Sequence, residues 1–165
     1  MSGLEQKHSE VGQRKCLSNS CANLLVVFLA VLICDHISKY LIIRNLYFGE
    51  EIELCPFFNL VYFKNTGVTF GLLKFIPSVV LTIAIIVIIG YFVWWARNNR
   101  AFQFPMAAIL GGACGNLIDR IFRGGVVDFL DFHLSNYHWP AFNIADSAIV
   151  LGVAFVLYKS YGEGS

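Results

Sequence analysis

Apolar and polar stretches alternate along the chain, and their lengths set the first expectation. The run from about Ala22 to Ile43 is long enough to cross a hydrocarbon core of ~30 Å as one helix. Further apolar runs cover Pro77 to Ala96, Phe104 to about Phe122, and roughly Pro140 to Tyr158. Pro77 and Pro140 suit the first turn of a helix, where a missing N–H costs nothing. Trp94, Trp95 and Trp139 mark the interfaces. Arg44 to Phe75 is too polar and too interrupted to span. Residues 51–54 alternate, and so does part of 57–64, which predicts short strands lying on the membrane surface. Pro56 separates the two runs, and Asn65-Thr66-Gly67 reads as a turn. Met1 to Ser20 is polar and is expected to be a disordered tail. Residues 21–160 then form a single four-span domain with an insertion at 44–75.

Four spans have a geometric consequence. Odd helices end, and even helices begin, on the same side. The polar end of the first span, the 44–75 insertion, the Asn116 to Asp131 region and the Asn143 to Asp146 turn all fall there. The opposite side holds the tail, the 97–100 loop and the C-terminal end. These short segments carry six Lys/Arg, so the positive-inside rule favours cytoplasmic N- and C-termini. The polar side is then extracytoplasmic.

Composition strengthens the membrane reading. The chain is 57% hydrophobic and only 14% charged, where a soluble domain carries about 25% charged residues. So much apolar surface needs lipid as solvent. A net charge of +1 with no basic run gives no footing for nucleic acid. Five cysteines form no C-x-x-C pair and no His/Cys metal spacing, and their odd number argues against a complete disulfide framework. No metal or cofactor is expected. The first span is too long for a signal-peptide core and is read as a retained anchor.

Charge in so apolar a chain directs attention to chemistry. Asp146 lies inside the last span, where a carboxylate costs roughly 2.5–3.5 kcal/mol on insertion scales. Asp128 and Asp131 stand just before it, and Asp119 shares a helical face with Asn116. Two carboxylates in a partly dry site share a proton, so one can act as base on water while the other protonates a carbonyl. Spacing alone leaves Asp119, Asp128 and Asp131 all open as partners of Asp146. Asp35 and Lys39 are i,i+4 neighbours. They form either an interfacial ion pair with Lys39 snorkelling to water or one wall of a site. Intramembrane acids also serve proton-coupled carriers, the alternative reading. A carrier needs polar groups along a path to both faces, and Val79 to Phe92 has almost none.

Five segments together resemble the signal peptidase II (lipoprotein signal peptidase) family of bacterial membrane aspartyl proteases. They are Asp35-His36-Ile37-Ser38-Lys39, Asn65-Thr66-Gly67-Val68-Thr69-Phe70, Gly112 to Arg120, Val126-Val127-Asp128-Phe129 and Phe142 to Ser147. They occur in the family's order and cover residues 22 to about 158. Thr69 departs from the pattern, the family more often having Ala or Ser. The resemblance implies an all-α integral membrane fold of four transmembrane helices, with a small extracytoplasmic β-cradle and a short surface helix. It implies Asp128 and Asp146 as the catalytic pair. Asn65, Asn116, Arg120 and Asn143 would line the site, while Asp35, Lys39 and Asp119 would support it. The implied substrates are diacylglyceryl-modified prolipoproteins, cleaved just before the lipid-bearing cysteine. The enzyme is expected to act as a monomer in the bacterial inner membrane, in contact with its lipid.

Overall fold

The computed structural model describes residues 3–67 and 78–163. Val68, Thr69 and Phe70 of the Asn65 to Phe70 segment, and Pro77, lie outside these residues. Helix α1 runs from Gly3 to Asn45, α2 from Ser78 to Asn98, α3 from Gln103 to Arg123 and α4 from Ile144 to Glu163. Strands β1 (Glu51–Cys55) and β2 (Phe58–Asn65) lie between α1 and α2, and β3 (Val126–Leu134) and β4 (Tyr137–His138) between α3 and α4. A 3-10 turn, Arg100–Phe102, joins α2 to α3 at the end of the bundle away from the sheet.

Three helices are long and apolar enough to cross a bilayer: Ala22–Asn45, Arg100–Arg123 and Ile144–Gly162. The fourth, α2, has 21 residues and a continuous apolar stretch, Thr82–Asn98. At 1.5 Å per residue its length is about 31 Å, enough for the same core. Leu25, Val87 and Leu151 are among many apolar side chains left exposed on the helices, as a lipid-facing surface requires. Helix α1 extends back to Gly3, where the sequence predicts a disordered tail. A helix already nucleated by an apolar span propagates into its flank at one hydrogen bond per residue.

Helix α3 packs against each of the other three helices. Its glycines make that possible. A Cβ on Gly112 would lie 2.4 Å from the Ala145 carbonyl oxygen of α4, and one on Gly115 would lie 2.6 Å from the Asp35 carboxylate of α1. Small residues at such crossings let helices approach in lipid, where no hydrophobic drive joins them. At its C-terminus Gly124 takes φ 70°, the left-handed cap that ends a helix. The chain leaves in extended form as β3.

The four strands form one antiparallel sheet in the order β1-β2-β3-β4. The 44–75 insertion therefore supplies only half of the cradle. The rest comes from the segment after α3, whose extended start the paired valines favour. An extra residue bulges β2 between Leu60 and Phe63, opposite β3. Phe142 exchanges backbone hydrogen bonds with Leu130 (3.0 and 2.8 Å), stitching β3 to the residues before α4. Ile42 of α1 and Leu46 just after it pack with Val127 and Phe129 of β3 in one buried cluster. These contacts fix the height at which β3 crosses the end of the bundle.

Candidate active site

The start of α4 is a reciprocal capping arrangement. Asn143, the residue before the helix, accepts from the Asp146 backbone N–H through Oδ1 (2.9 Å), while its own N–H donates to Asp146 Oδ2 (3.3 Å). Each side chain satisfies a backbone donor that the first turn leaves without a partner. Asp146 is thus held at the third helical position, at the positive end of the helix dipole. Its other oxygen accepts from Asn116 Nδ2 of α3 at 2.8 Å.

Asp128 reaches the same place from β3. It is 4% exposed. Asn143 Nδ2 donates to its Oδ1 (2.8 Å) and Asn65 Nδ2 to its Oδ2 (3.1 Å). Asn143 therefore donates to both carboxylates, to Asp128 through its amide nitrogen and to Asp146 through its backbone N–H. Burial, and next the charge of Asp146, push the Asp128 carboxyl up to about 7, against the Asn65 and Asn143 hydrogen bonds and the Lys39 charge. A carboxyl in that range can hold or release a proton near neutrality.

Beneath the pair lies a buried charge cluster. Asp35, Lys39 and Asp119 are each 0% exposed. Lys39 Nζ donates to Asp35 Oδ2 (2.7 Å) and Asn116 Oδ1 (3.0 Å), and pairs with Asp119 Oδ2 (2.9 Å). The remaining Asp35 oxygen accepts from the Ala145 backbone N–H (2.9 Å), and Asp119 also takes the Val127 N–H (3.2 Å) and the Arg123 guanidinium. Two carboxylates, one ammonium and one guanidinium balance. The Asp35–Lys39 ion pair is present, but Lys39 does not snorkel: its ammonium points inward, because three acceptors wait there.

Arg120 lies on α3, with Nη1 donating to the Asn116 carbonyl oxygen of its own helix (3.2 Å). Its buried Nε has no partner among the described residues. It shares a groove of about 250 Å³ with Asn116 and Asp146, and the remaining walls are apolar: Ile85, Ile88, Phe92, Ile109 and Ile149 among them. The groove lies between α2, α3 and α4, with the polar residues on one wall. Asp131 stands elsewhere, buried against Asn59 Nδ2 (3.1 Å) and His138 Nδ1 (2.8 Å) in the sheet. His36 stays within its own helix, bonding the Leu32 carbonyl oxygen (3.1 Å).

Of the polar residues expected at the site, Asp128, Asp146, Asn65, Asn116, Asn143, Asp35, Lys39 and Asp119 form one continuous hydrogen-bonded set, with Arg120 beside it. Arg123 escaped sequence reasoning, although its place four residues after Asp119 on a helix is a visible cue. Asp119 faces Arg123 rather than adjacent Arg120 for the same reason. The groove residues of α2 left no cue, since an apolar residue facing a groove and one facing lipid look alike in sequence.

Several helices of membrane-spanning length, joined to a small sheet at one end, define a multi-pass membrane protein. Two solved structures share this fold, both described as a bacterial membrane enzyme determined by the in meso method. The first, at 2.3 Å resolution, has a TM-score of 0.72 and 32% identity, covering 87% of this chain and 90% of its own. The second, at 1.9 Å, gives 0.73 and 31%, covering 84% and 92%. The lipoprotein signal peptidase of Thermodesulfovibrio yellowstonii is 46% identical over 134 residues, 81% of this chain and 90% of that protein. That of Syntrophotalea carbinolica is 41% identical over 150 residues, 86% and 92% respectively. The family model for signal peptidase (SPase) II matches residues 27–161. The chain belongs to the signal peptidase II family, the membrane aspartic peptidases.

Proposed function

We propose that the chain cleaves signal peptides from diacylglyceryl-modified prolipoproteins just before the lipid-bearing cysteine, with Asp128 and Asp146 as the catalytic pair. The observation that carries this reading is that Asn143 donates to both carboxylates, and that Asp146, one of the two, lines a largely apolar groove. Asp146 receives donors from Asn116 and Asn143 at a helix N-terminus, which suits the ionised partner. Asp128, with its carboxyl raised to about 7, suits the partner that carries the proton.

Asp146 takes a proton from a water molecule as its oxygen attacks the scissile carbonyl carbon, and Asp128 donates its proton to the carbonyl oxygen. The tetrahedral diol then collapses. Asp146 passes the proton to the departing amide nitrogen, the C–N bond breaks, and Asp128 recovers its proton from a diol hydroxyl. Water is consumed, and an acid and an amine are released. Arg120 Nε, a buried donor without a partner among the described residues, is suited to a substrate carbonyl in the groove. The apolar walls suit a signal-peptide helix or acyl chains. With cytoplasmic termini, the cradle and site face outward, where prolipoproteins emerge.

The test is cleavage of a diacylglyceryl-modified lipobox peptide by the purified protein in detergent. The expected product ends just before the modified cysteine, and kcat/KM falls strongly when the diacylglycerol is absent. Equal values with and without lipid would remove the lipid from the reading.

A further inference from the structure

A fully buried lysine that touches no substrate groove is an expensive thing for a fold to keep. Lys39 has all three ammonium hydrogens engaged, two by carboxylates and the third by the side-chain oxygen of Asn116. That third contact has a consequence for the reaction. A side-chain amide presents an acceptor on one end and two donors on the other, and the two ends have nearly the same shape. Between Lys39 and Asp146 only one orientation works. With Oδ1 toward the ammonium, Nδ2 donates to Asp146. Turned over, the amide would set donor against donor at Lys39 and oxygen against carboxylate at Asp146.

The same oxygen accepts from Asn143 Nδ2 (3.2 Å), the nitrogen that also donates to Asp128. Once Asn116 is oriented, Asn143 is oriented with it, since its opposite end accepts from the Asp146 N–H. We propose that Lys39 is a positioning residue that acts through Asn116: its ammonium sets the direction of the two amides, so that each carboxylate of the pair meets a donor. Asp35 and Asp119 hold the ammonium in register between α1 and α3. This inference rests on the catalytic pair proposed above.

A cycle on Lys39 and Asn116 tests it, with kcat, KM and the pH profile measured on a diacylglyceryl-modified lipobox peptide. Lys39→Met should lower kcat by about tenfold or more at its own optimum, with KM changed less than about threefold, because the loss falls on the carboxylates and not on substrate. Asn116→Ala should lower kcat by a similar factor. The double variant should be no worse than the poorer single one, since the lysine has nothing left to orient. The pH profile should move as well. Asp128 is faced by Asp146 from α4, Arg120 from α3 and Lys39 from α1, and the Lys39 charge holds its carboxyl down. Without Lys39 the alkaline limb should shift upward.

Losses that multiply in the double variant, or residual Lys39→Met activity with the wild-type profile, would overturn the proposal and leave Lys39 a structural group. Asn116→Asp tests the same point without touching the lysine. It keeps an acceptor for Lys39 yet cannot donate to an ionised Asp146, so kcat should fall while the protein accumulates normally. Near wild-type kcat in Asn116→Asp would overturn the proposal too. Asp128→Asn and Asp146→Asn are assayed alongside. If either cleaves normally, the catalytic reading fails; if both are inactive and the losses multiply, only the role of Lys39 fails.

Discussion

Asp128 shows what a buried carboxyl costs. Its carboxyl titrates near 7 in the folded protein and near 3.8 when free, so the folded state binds the extra proton between those values. Stability therefore falls as pH rises from about 4 to about 7, and the full cost remains above that window. Asp128→Asn removes the cost. Its effect on unfolding should be more favourable at pH 8 than at pH 5 by roughly 2 kcal/mol, measured by thermal unfolding in detergent. The same variant should be inactive, because an amide keeps the shape but exchanges no proton. Asp146→Asn should also be inactive, while Asp131→Asn, bonded to Asn59 and His138 in the sheet, should keep substantial activity. An inactive, well-folded Asp131→Asn would mean that the wrong pair is named.

At the scale of elements, the site depends on how closely α3 meets its neighbours. Gly115 leaves room for the Asp35 carboxylate and Gly112 for the Ala145 carbonyl. Gly115→Ala should destabilise by about 1–3 kcal/mol, typical of overpacking, and lower activity by displacing Asp35 from Lys39 and the Ala145 N–H. Gly90 on α2 has nothing within 4 Å of an added Cβ. Gly90→Ala should leave activity intact and gain slightly from helix propensity. Thermal unfolding and peptide cleavage of the two alanine variants make the comparison. Equal effects would deny the close crossing.

For the whole molecule, the pair in its apolar setting predicts a bell-shaped rate. Activity should rise as the doubly protonated pair loses its first proton, and fall above about pH 7, where Asp128 loses the second. A rate flat from acid to alkaline pH, with the protein folded, would rule out a shared proton. Since the proposed steps use only carboxylates and water, exhaustive EDTA treatment should leave full activity. Loss that zinc restores would replace this mechanism with a metal-dependent one.

Apolar run lengths alone located the membrane-spanning helices, because a hydrocarbon core tolerates little else over some twenty residues. Asp146 stood out in the sequence for the same reason, a charge where charge is expensive. The five matching segments named the family and singled out Asp128, a choice that neither helical nor strand periodicity made. Half the sheet was not legible: Val126-Val127 favours an extended exit from α3, but pairing with β2 depends on partners some seventy positions away. Nor did the sequence separate Asp128 from Asp131 by contact. They lie three apart on β3, and folding gave Asp128 to Asn65 and Asn143 and Asp131 to Asn59 and His138. The inward turn of Lys39 was equally hidden. An i,i+4 pair near a span end can hydrate or bury, and only the approach of α3, with Asn116 and Asp119 on its facing side, supplied the acceptors that decide it.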